Sequence, residues 1–310
     1  MTITGVMRTG EIVIRVIDID AAREHYGERV GLIETLRDDD GTTYYKAWDE
    51  HDLYSIVIRP SDRPGMDHVA FKTVDDDTLT EVTGKLNALG IQTQDLPPES
   101  MPRSGRRVKF TLPTGHEAHL YAQKEQCGNG MPLRNPGTMP PPGTIRGMRV
   151  IRLDHCLLGG GDIDGNDTIF RDAFGWTNTE KLIDHETEMT LAIFWSGSNK
   201  PHDIAFVRQP EDNRFHHASF LLESVNDVYH AADLMGYYDI PVDVGPTRHG
   251  ITRGATIYFF DPSGNRNEVF TDGYLHYPDT PTLVWDTSKL GQATFSQDNT
   301  PRQSFLEVLT

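Results

Sequence analysis

An internal duplication limits the possible folds of this chain more than any other feature. The string GMDHVAFKTVDD resembles RFHHASFLLESVND, and aligning His68 with His217 gives a shift of 149 residues (217 − 68). TLPTGHEAHLYA and FDPSGNRNEVFT, which carry Gly115 and Gly264, keep the same shift. Nearer the start of each half, IVIRVID and HCLLGGG are about 144 residues apart, so insertions intervene. A repeat of this length predicts two structurally equivalent halves.

Each half contains a second, shorter repeat of strand, helix and further strands. Alternating apolar residues predict strands over Ile12–Val16, Ser55–Arg59, His68–Lys72, Lys109–Thr111, Leu153–Leu158, Asp203–Arg208, Ala218–Leu222 and Thr256–Phe260. Helical periodicity after an Asp or Asn predicts helices over Asp20–Val30, Asp75–Leu89, Asn166–Phe174 and Val225–Met235. The pattern predicts an α+β fold of four βαβββ modules. Two modules form each domain, as a curved sheet around a cavity.

Composition indicates where the domains begin and end. Residues 129–150 include the string NGMPLRNPGTMPPPGTIRG, which is dense in Pro and Gly, has no periodicity and therefore predicts a linker. We expect an N-terminal domain over residues 1–128 and a C-terminal domain over residues 151–272. Residues 273–310 lie outside the repeat, and we expect them to pack on the second domain.

Charge and hydropathy exclude several classes of protein. The chain has 29 basic and 46 acidic residues, a net charge of −17, and no basic stripe that could bind a phosphate backbone. An apolar run long enough to cross a bilayer is missing, and the N-terminus does not resemble a signal peptide. The two cysteines are too few for a disulfide framework. We therefore expect a cytoplasmic protein that binds neither nucleic acid nor membranes.

Three residues of the second half could bind a metal ion together. We place His155 early in the first strand of the third module and His217 in a strand at the end of that module. We place Glu268 in the last strand of the fourth module. Two imidazoles and one carboxylate on one face of a metal leave adjacent positions open, an arrangement typical of non-haem iron(II) sites that bind dioxygen.

The sequence around Glu268 is more specific than any of these residues alone. The string GPTRHGITRGATIYFFDPSGNRNEVF contains His249, a tyrosine nine residues later (258 − 249), an Asp-Pro-x-Gly turn and Glu268. This spacing resembles the signature of extradiol ring-cleavage dioxygenases. RLDHCLL, KPHDIAF and RFHHASF precede it in the order that the same family shows. The chain is therefore similar, over its whole length, to the two-domain catechol 2,3-dioxygenases of the vicinal oxygen chelate superfamily.

The resemblance implies a role for each matching residue. His155, His217 and Glu268 match the ligands of the family's Fe²⁺. His202, in KPHDIAF, matches an acid–base histidine that is not a ligand, and the pair that hydrogen-bonds the substrate matches the two residues His249 and Tyr258.

The resemblance also implies a reaction and an assembly. The expected substrates are dioxygen and catechol or a simple substituted catechol. The expected product is 2-hydroxymuconic semialdehyde, formed during the breakdown of aromatic compounds. A homotetramer is expected from the family alone. Manganese stays an alternative to iron because the same ligands bind either ion.

The first half contains a comparable but incomplete set. Glu11, His68 and His119 correspond to the three ligand positions, with the residue types in permuted order. Lys109 and Leu53 stand where the second half has the tyrosine and the acid–base histidine. We therefore expect a vestigial site without a metal in the first half.

Two other functions fit part of the sequence. A binding protein of the same superfamily could sequester a small molecule without catalysis, but such proteins usually lack the full ligand set. A glyoxalase-like isomerase also uses paired βαβββ modules, but it typically spreads four ligands over them. For a catechol-binding pocket, Phe194, Ile251 and Phe305 are candidate wall residues.

Overall fold

Four modules of the same topology form the protein. In the computed structural model, which describes residues 5–310, each module consists of one strand, one helical segment and three further strands. The predicted α+β fold of βαβββ modules is confirmed. Residues 1–4 of the expected first domain lie outside the described range.

The first two modules form one sheet of eight strands. Its strands are β1 (Val6–Val16), β2 (Ile33–Arg37), β3 (Thr43–Lys46), β4 (Ile56–Pro60), β5 (Gly65–Thr73), β6 (Thr93–Leu96), β7 (Arg107–Thr111) and β8 (Glu117–Tyr121). Its helices are α1 (Ile19–Arg23), which continues as a π-helix over Glu24–Val30, and α2 (Asp76–Ala88). The spatial order is β2-β3-β4-β1-β5-β8-β7-β6. The first strands of the two modules, β1 and β5, therefore pair at the centre.

The last two modules form a second sheet with the same plan. Its strands are β9 (Arg152–Gly160), β10 (Thr177–Ile183), β11 (Thr190–Ser196), β12 (Ile204–Arg208), β13 (Arg214–Leu221), β14 (Val242–Arg248), β15 (Gly254–Phe260), β16 (Arg266–Asp272) and β17 (Leu283–Asp286). Its helical segments are a π-helix over Thr168–Ala173 and α3 (Val225–Tyr237). The order is β14-β15-β16-β13-β9-β12-β11-β10-β17, with β9 and β13 antiparallel at the centre.

Helix α2 shows how local sequence sets the helix positions. The Asp75 side chain accepts a hydrogen bond from the Thr78 backbone N–H at 2.8 Å, which caps the first turn. Such a cap contributes roughly 1 kcal/mol of stability. Leu79, Val82 and Leu86 recur at helical spacing and are buried, so this face packs on the sheet.

One ligand candidate lies in a different module from the one expected. His217 lies in β13, which is the first strand of the fourth module and not the end of the third. Strand β12 ends at Arg208 and β13 begins at Arg214, so a short turn alone separates the modules. No Pro- or Gly-rich break marks this boundary in the sequence. His155 and His217 are therefore equivalent residues on the first strands of consecutive modules.

An aromatic cluster joins the two halves. The Phe71 ring lies 5.2–5.7 Å, centroid to centroid, from the rings of Phe170, Phe174 and Trp176. Trp176 Nε1 donates a hydrogen bond to the Val6 carbonyl at 2.8 Å. Burial of each large aromatic side chain contributes about 1.5–3 kcal/mol. The two halves therefore share one hydrophobic core.

The chain beyond the fourth module packs on the second sheet. Strand β17 pairs in parallel with the edge strand β10. The backbone of Thr310 exchanges two hydrogen bonds with Phe215, at 2.7 and 3.0 Å. Two short helices, α4 (Leu290–Thr294) and α5 (Gln303–Glu307), lie between these contacts. Among residues 5–310, no helix combines the length and apolar character that crossing a bilayer requires.

Candidate metal centre

Three neighbouring strands bring His155, His217 and Glu268 together. The pairing of β9, β13 and β16 places Ser219 opposite both His155 and Glu268, and His217 lies two residues away on the same face of β13. Oε2 of Glu268 lies 3.1 Å from His155 Nε2 and 3.4 Å from His217 Nε2. One donor atom of each residue lies within 4.8 Å of the other two, and all three residues are buried.

The protonation of this cluster suits a divalent cation. Burial raises the pKa of Glu268, but the neighbouring rings of His155, His217 and His249 bring it well below its ordinary value. Burial lowers the pKa of His217 to about 4, so the ring is neutral. His217 Nε2 is buried without a hydrogen-bond partner among the described residues. A charged carboxylate and an imidazole with a free lone pair therefore lie close together. Fe²⁺ and Mn²⁺ both bind such ligands, so the residues fit the expected ion.

A cavity opens from the cluster, with polar groups at its base and apolar walls. The three candidate wall residues, Phe194, Ile251 and Phe305, all line it. Leu182 and Leu290, which the sequence did not single out, add apolar surface from β10 and from helix α4. A concave apolar pocket with a few convergent polar groups is typical of a small-molecule site. Its lining suits a small apolar molecule with polar substituents that can reach the cluster.

Tyr258 and His249 form a hydrogen-bonded pair in this cavity. His249 Nδ1 contacts the Thr294 carbonyl, which can only accept, so Nδ1 carries the proton. His249 Nε2 therefore accepts from the Tyr258 hydroxyl at 2.8 Å. Burial, followed by the charge of Glu268, raises the pKa of Tyr258 well above its ordinary value. The phenol stays protonated, so its one O–H can donate either to His249 or to a ligand in the cavity.

His202 lies beside the cluster without being part of it. Its ring centroid is 3.9 Å from that of His155, and its Nδ1 is buried with no partner in the described part of the chain. Burial, together with the His155 ring, holds the pKa of His202 well below its ordinary value. A neutral imidazole has one N–H and one lone pair, so it can accept or donate a proton inside the cavity.

Glu180 anchors the rim of the cavity, a role that the sequence did not reveal. Its carboxylate accepts hydrogen bonds from Thr252 N at 2.8 Å, Tyr274 Oη at 2.7 Å and Trp285 Nε1 at 2.9 Å. Thr252 lines the cavity, whereas Tyr274 and Trp285 belong to the C-terminal segment. The three donors come from distant parts of the chain. The sequence carried no distinctive signal for this role, because Glu180 stands in the polar run TNTEK.

At the equivalent position in the first half, two cationic side chains already pair with the buried carboxylate. Glu11 is fully buried and pairs with Arg107 at 2.7 Å and Lys124 at 2.6 Å. Burial raises the pKa of Glu11, but these two cations bring the net shift well below the ordinary value. His68, Glu117 and His119 also approach one another within 4.8 Å. Two cations already neutralise the buried carboxylate, so a divalent ion would meet their repulsion.

Bulkier side chains also fill this space. The strand registers place Arg107 where the second half has Thr256, and the repeat places Lys124 at the position of Gly273. The pairing of β1 with β4 places Tyr54 at the position of His202, so the expected equivalence with Leu53 is wrong by one residue. The difference arises from a one-residue indel after these strands, because residues 61–64 separate β4 from β5 and residues 209–213 separate β12 from β13. These substitutions support a vestigial site in the first half, which stays a prediction.

Sequence and structure comparisons agree with the signature found in the sequence. The Catechol 2,3-dioxygenase-like N-terminal domain family matches residues 66–125, and the Glyoxalase/Bleomycin resistance protein/Dioxygenase superfamily matches residues 152–269. A metapyrocatechase of Pseudomonas sp. (strain CF600) is 44% identical over 307 residues, which is 99% of each chain. The chain belongs to the catechol 2,3-dioxygenase family. This membership in an enzyme family decides against the binding protein and the glyoxalase-like isomerase.

Other members of the wider group are similar over most of their length. The crystal structure of the 2,3-dioxygenase LapB from Pseudomonas sp. KL28 has a TM-score of 0.90 and 42% identity, covering 93% of this chain and 99% of that one. A manganese-dependent 2,3-dihydroxybiphenyl 1,2-dioxygenase of Geobacillus genomosp. 3 is 27% identical over 92% of this chain and 91% of its own. A homoprotocatechuate 2,3-dioxygenase from Arthrobacter globiformis, at 22% identity and a TM-score of 0.86, covers 100% of this chain and 94% of its own and supports the fold.

Proposed function

We propose that this catechol 2,3-dioxygenase family member cleaves catechol, or a simple substituted catechol, at a single Fe²⁺ held by His155, His217 and Glu268. The observation that carries the proposal is the convergence of these three donors at the base of an apolar cavity. The reaction is extradiol: dioxygen breaks the ring bond beside the two hydroxyl-bearing carbons. Catechol, C₆H₆O₂, takes up both atoms of dioxygen to become 2-hydroxymuconic semialdehyde, C₆H₆O₄, so no further reductant is needed.

Iron is proposed because the resemblance to the family implies it, and the same ligand set also binds manganese. Two histidines and one carboxylate on one face are typical of non-haem iron(II) oxygenases. A bound Fe²⁺ would offer positions to both catechol oxygens and to dioxygen and would lower the pKa of the catechol hydroxyls. A relative named for manganese dependence shows that this group of enzymes also includes members that use manganese.

The remaining polar residues each have a task that follows from their contacts. We expect the single O–H of Tyr258, which donates to His249 at 2.8 Å in this structure, to turn to a catechol oxygen when the substrate binds. Such preorganised donors stabilise negative charge that develops on the substrate oxygen. His202, neutral and next to His155, accepts a proton and returns it as the ring opens. Phe194 and Ile251 exclude water from the face of the ring.

The expected division of the chain follows the two sheets. We propose an N-terminal domain over residues 1–128 without a working metal site, a linker over 129–150, a catalytic domain over 151–272 and an extension over 273–310. In support, residues 127–151 of the described range form neither helix nor strand. A homotetramer stays a prediction that rests on the family resemblance, and cytoplasmic location stays one that rests on the cysteine content and the N-terminal sequence.

The product of catechol cleavage tests the proposed reaction. We expect the purified, iron-loaded protein to convert catechol in air to yellow 2-hydroxymuconic semialdehyde, with one dioxygen consumed for each catechol. Absorption spectroscopy and an oxygen electrode follow the two quantities together. The protein incubated with an iron chelator is the control, and it should be inactive. Colourless cis,cis-muconate as the main product would contradict extradiol cleavage.

A further inference from the structure

Strands β9 and β13 each contain one bulge, and each bulge lies beside a proposed ligand. Across the pair, Ser219 and Phe220 face His155 and Leu153, so Asp154 is an extra residue in β9. Along β13, His217 and Phe215 face consecutive residues of β9, so His216 is extra in the same way. A bulge displaces one residue from the regular alternation and can direct its side chain towards a neighbour.

The first bulge residue determines which nitrogen of His155 carries a proton. Asp154 is buried, and its Oδ2 lies 2.9 Å from His155 Nδ1. Lys200 Nζ lies 3.4 Å from the other carboxylate oxygen, which favours the charged form. A carboxylate can only accept, so His155 Nδ1 carries the proton. His155 Nε2 faces the Glu268 carboxylate at 3.1 Å, so a bound cation would take the Nε2 lone pair in place of the hydrogen bond to Glu268, while the proton on Nδ1 stays with Asp154.

The second bulge residue acts on His217 through two hydrogen bonds. His216 Nε2 lies 2.7 Å from the Phe305 carbonyl, which only accepts, so His216 carries its proton on Nε2. The Arg266 guanidinium, 3.3 Å from His216 Nδ1, opposes a second proton there. His216 Nδ1 therefore accepts the bond from His217 Nδ1 at 2.8 Å. This leaves His217 Nε2 unprotonated and free at the centre of the cluster.

We propose that Asp154 and His216 are positioning residues: they fix the tautomer and orientation of His155 and His217 and present both Nε2 lone pairs to the metal. The proposal rests on the proposed metal site. The two partners differ in charge, because a carboxylate holds one ligand and a neutral imidazole holds the other. The carbonyl of Phe305 extends the second chain of hydrogen bonds into the C-terminal segment. Packing of that segment therefore helps to orient a metal ligand.

The first half retains both bulges but not these partners. Its strands β1 and β5 carry extra residues at Gly10 and Asp67, the positions equivalent to Asp154 and His216. Gly10 has no side chain. Asp67 is directed to Arg15 at 3.2 Å and Arg59 at 2.7 Å. Both halves therefore share the bulged strands. The side chains that could orient a ligand histidine are found at these bulges in the second half, beside the proposed metal ligands, and not in the first half.

Metal affinity and proton NMR test the proposal on the whole protein. Asp154→Ala and His216→Ala should each weaken Co²⁺ binding about 10- to 100-fold in a chelator competition. In the Co²⁺-loaded wild-type protein, each ligand imidazole should give one paramagnetically shifted, solvent-exchangeable Nδ1–H signal. Each alanine variant should lose one of these two signals to exchange with water. Asp67→Ala removes the equivalent bulge side chain of the first half, and it should change neither measurement.

Two conservative variants keep the test informative if an alanine variant does not fold. Asp154→Asn and His216→Asn retain an oxygen that can accept from Nδ1–H, so both signals should persist and affinity should fall less than about tenfold. Unchanged Co²⁺ affinity with both signals intact in Asp154→Ala and His216→Ala would overturn the inference while the metal site stands. Absence of the shifted signals from the wild-type protein would instead refute the proposed metal site itself.

Discussion

Replacement of His217 by alanine is expected to remove the metal and the activity together. A site with three protein ligands keeps few bonds to the ion when one ligand is lost. Because loss of a group that only orients a ligand costs about 10- to 100-fold in affinity, loss of the ligand itself should cost at least about 100-fold. Iron analysis of protein purified without oxygen, followed by a catechol assay, measures both quantities. His155→Ala and Glu268→Ala should behave in the same way.

The duplication supplies a matched control for this experiment. His68 occupies in β5 the place that His217 occupies in β13, and it is also a buried histidine on a central strand. His68→Ala should keep the iron content and the rate of ring cleavage near those of the wild-type protein. A loss of iron in this variant would show that the first half binds metal. Full iron and activity in His217→Ala would show that the ligand assignment is wrong.

His202 should give the opposite combination of effects. We expect His202→Ala and His202→Phe to keep iron near the wild-type level, because the ring lies beside the cluster without belonging to it. Turnover should fall by roughly 10²- to 10⁴-fold, the usual contribution of a general acid–base group. The value of KM for catechol should change much less, because the residue acts on proton transfer.

Steady-state kinetics and iron analysis of the same preparations check this expectation. His185→Ala is a suitable control, because this histidine is half-exposed and does not line the cavity. Loss of iron from the His202 variants would identify His202 as a ligand. Unchanged turnover in these variants would show that His202 has no acid–base role in the reaction.

The internal duplication predicted most of the architecture because individual strands of the first half can be aligned with individual strands of the second half. The predicted strand His68–Lys72 lies inside β5, and Thr256–Phe260 lies inside β15. Their alternation is visible because each strand has one face towards the core. The correspondence of Glu11 with His155 also follows directly from the strand registers. The ligand positions of the two halves could therefore be compared without a structure, whereas the comparison of Leu53 with His202 was wrong by one residue.

Features that depend on two strands at once could not be predicted in this way. The bulges at Asp154 and His216 exist only in the pairing of β9 with β13, and the local sequence of either strand does not reveal them. The assignment of His217 to the third module failed because the short turn QPEDN before β13 marks a boundary between strands, and its composition does not show that this boundary also separates two modules. Periodicity reports the face of a residue, and it does not report the module to which its strand belongs.

Contacts from the end of the chain were also beyond sequence reasoning. The backbone carbonyls of Thr294 and Phe305 accept hydrogen bonds from His249 and His216. Every residue has a backbone carbonyl, so a sequence motif cannot show which one takes part. Glu180 gathers three donors that lie far apart along the chain. Long-range hydrogen bonds of this kind follow from the packing of the C-terminal segment, and the repeat does not include that segment.

Titration of the metal-free protein with Fe²⁺ tests the central claim most directly. The account predicts that the rate of formation of the yellow product rises linearly with added iron and reaches a plateau at about one Fe²⁺ per chain. It also predicts that the protein is inactive before iron is added. A plateau at two ions per chain, or ring cleavage by metal-free protein, would contradict a single catalytic site formed by His155, His217 and Glu268.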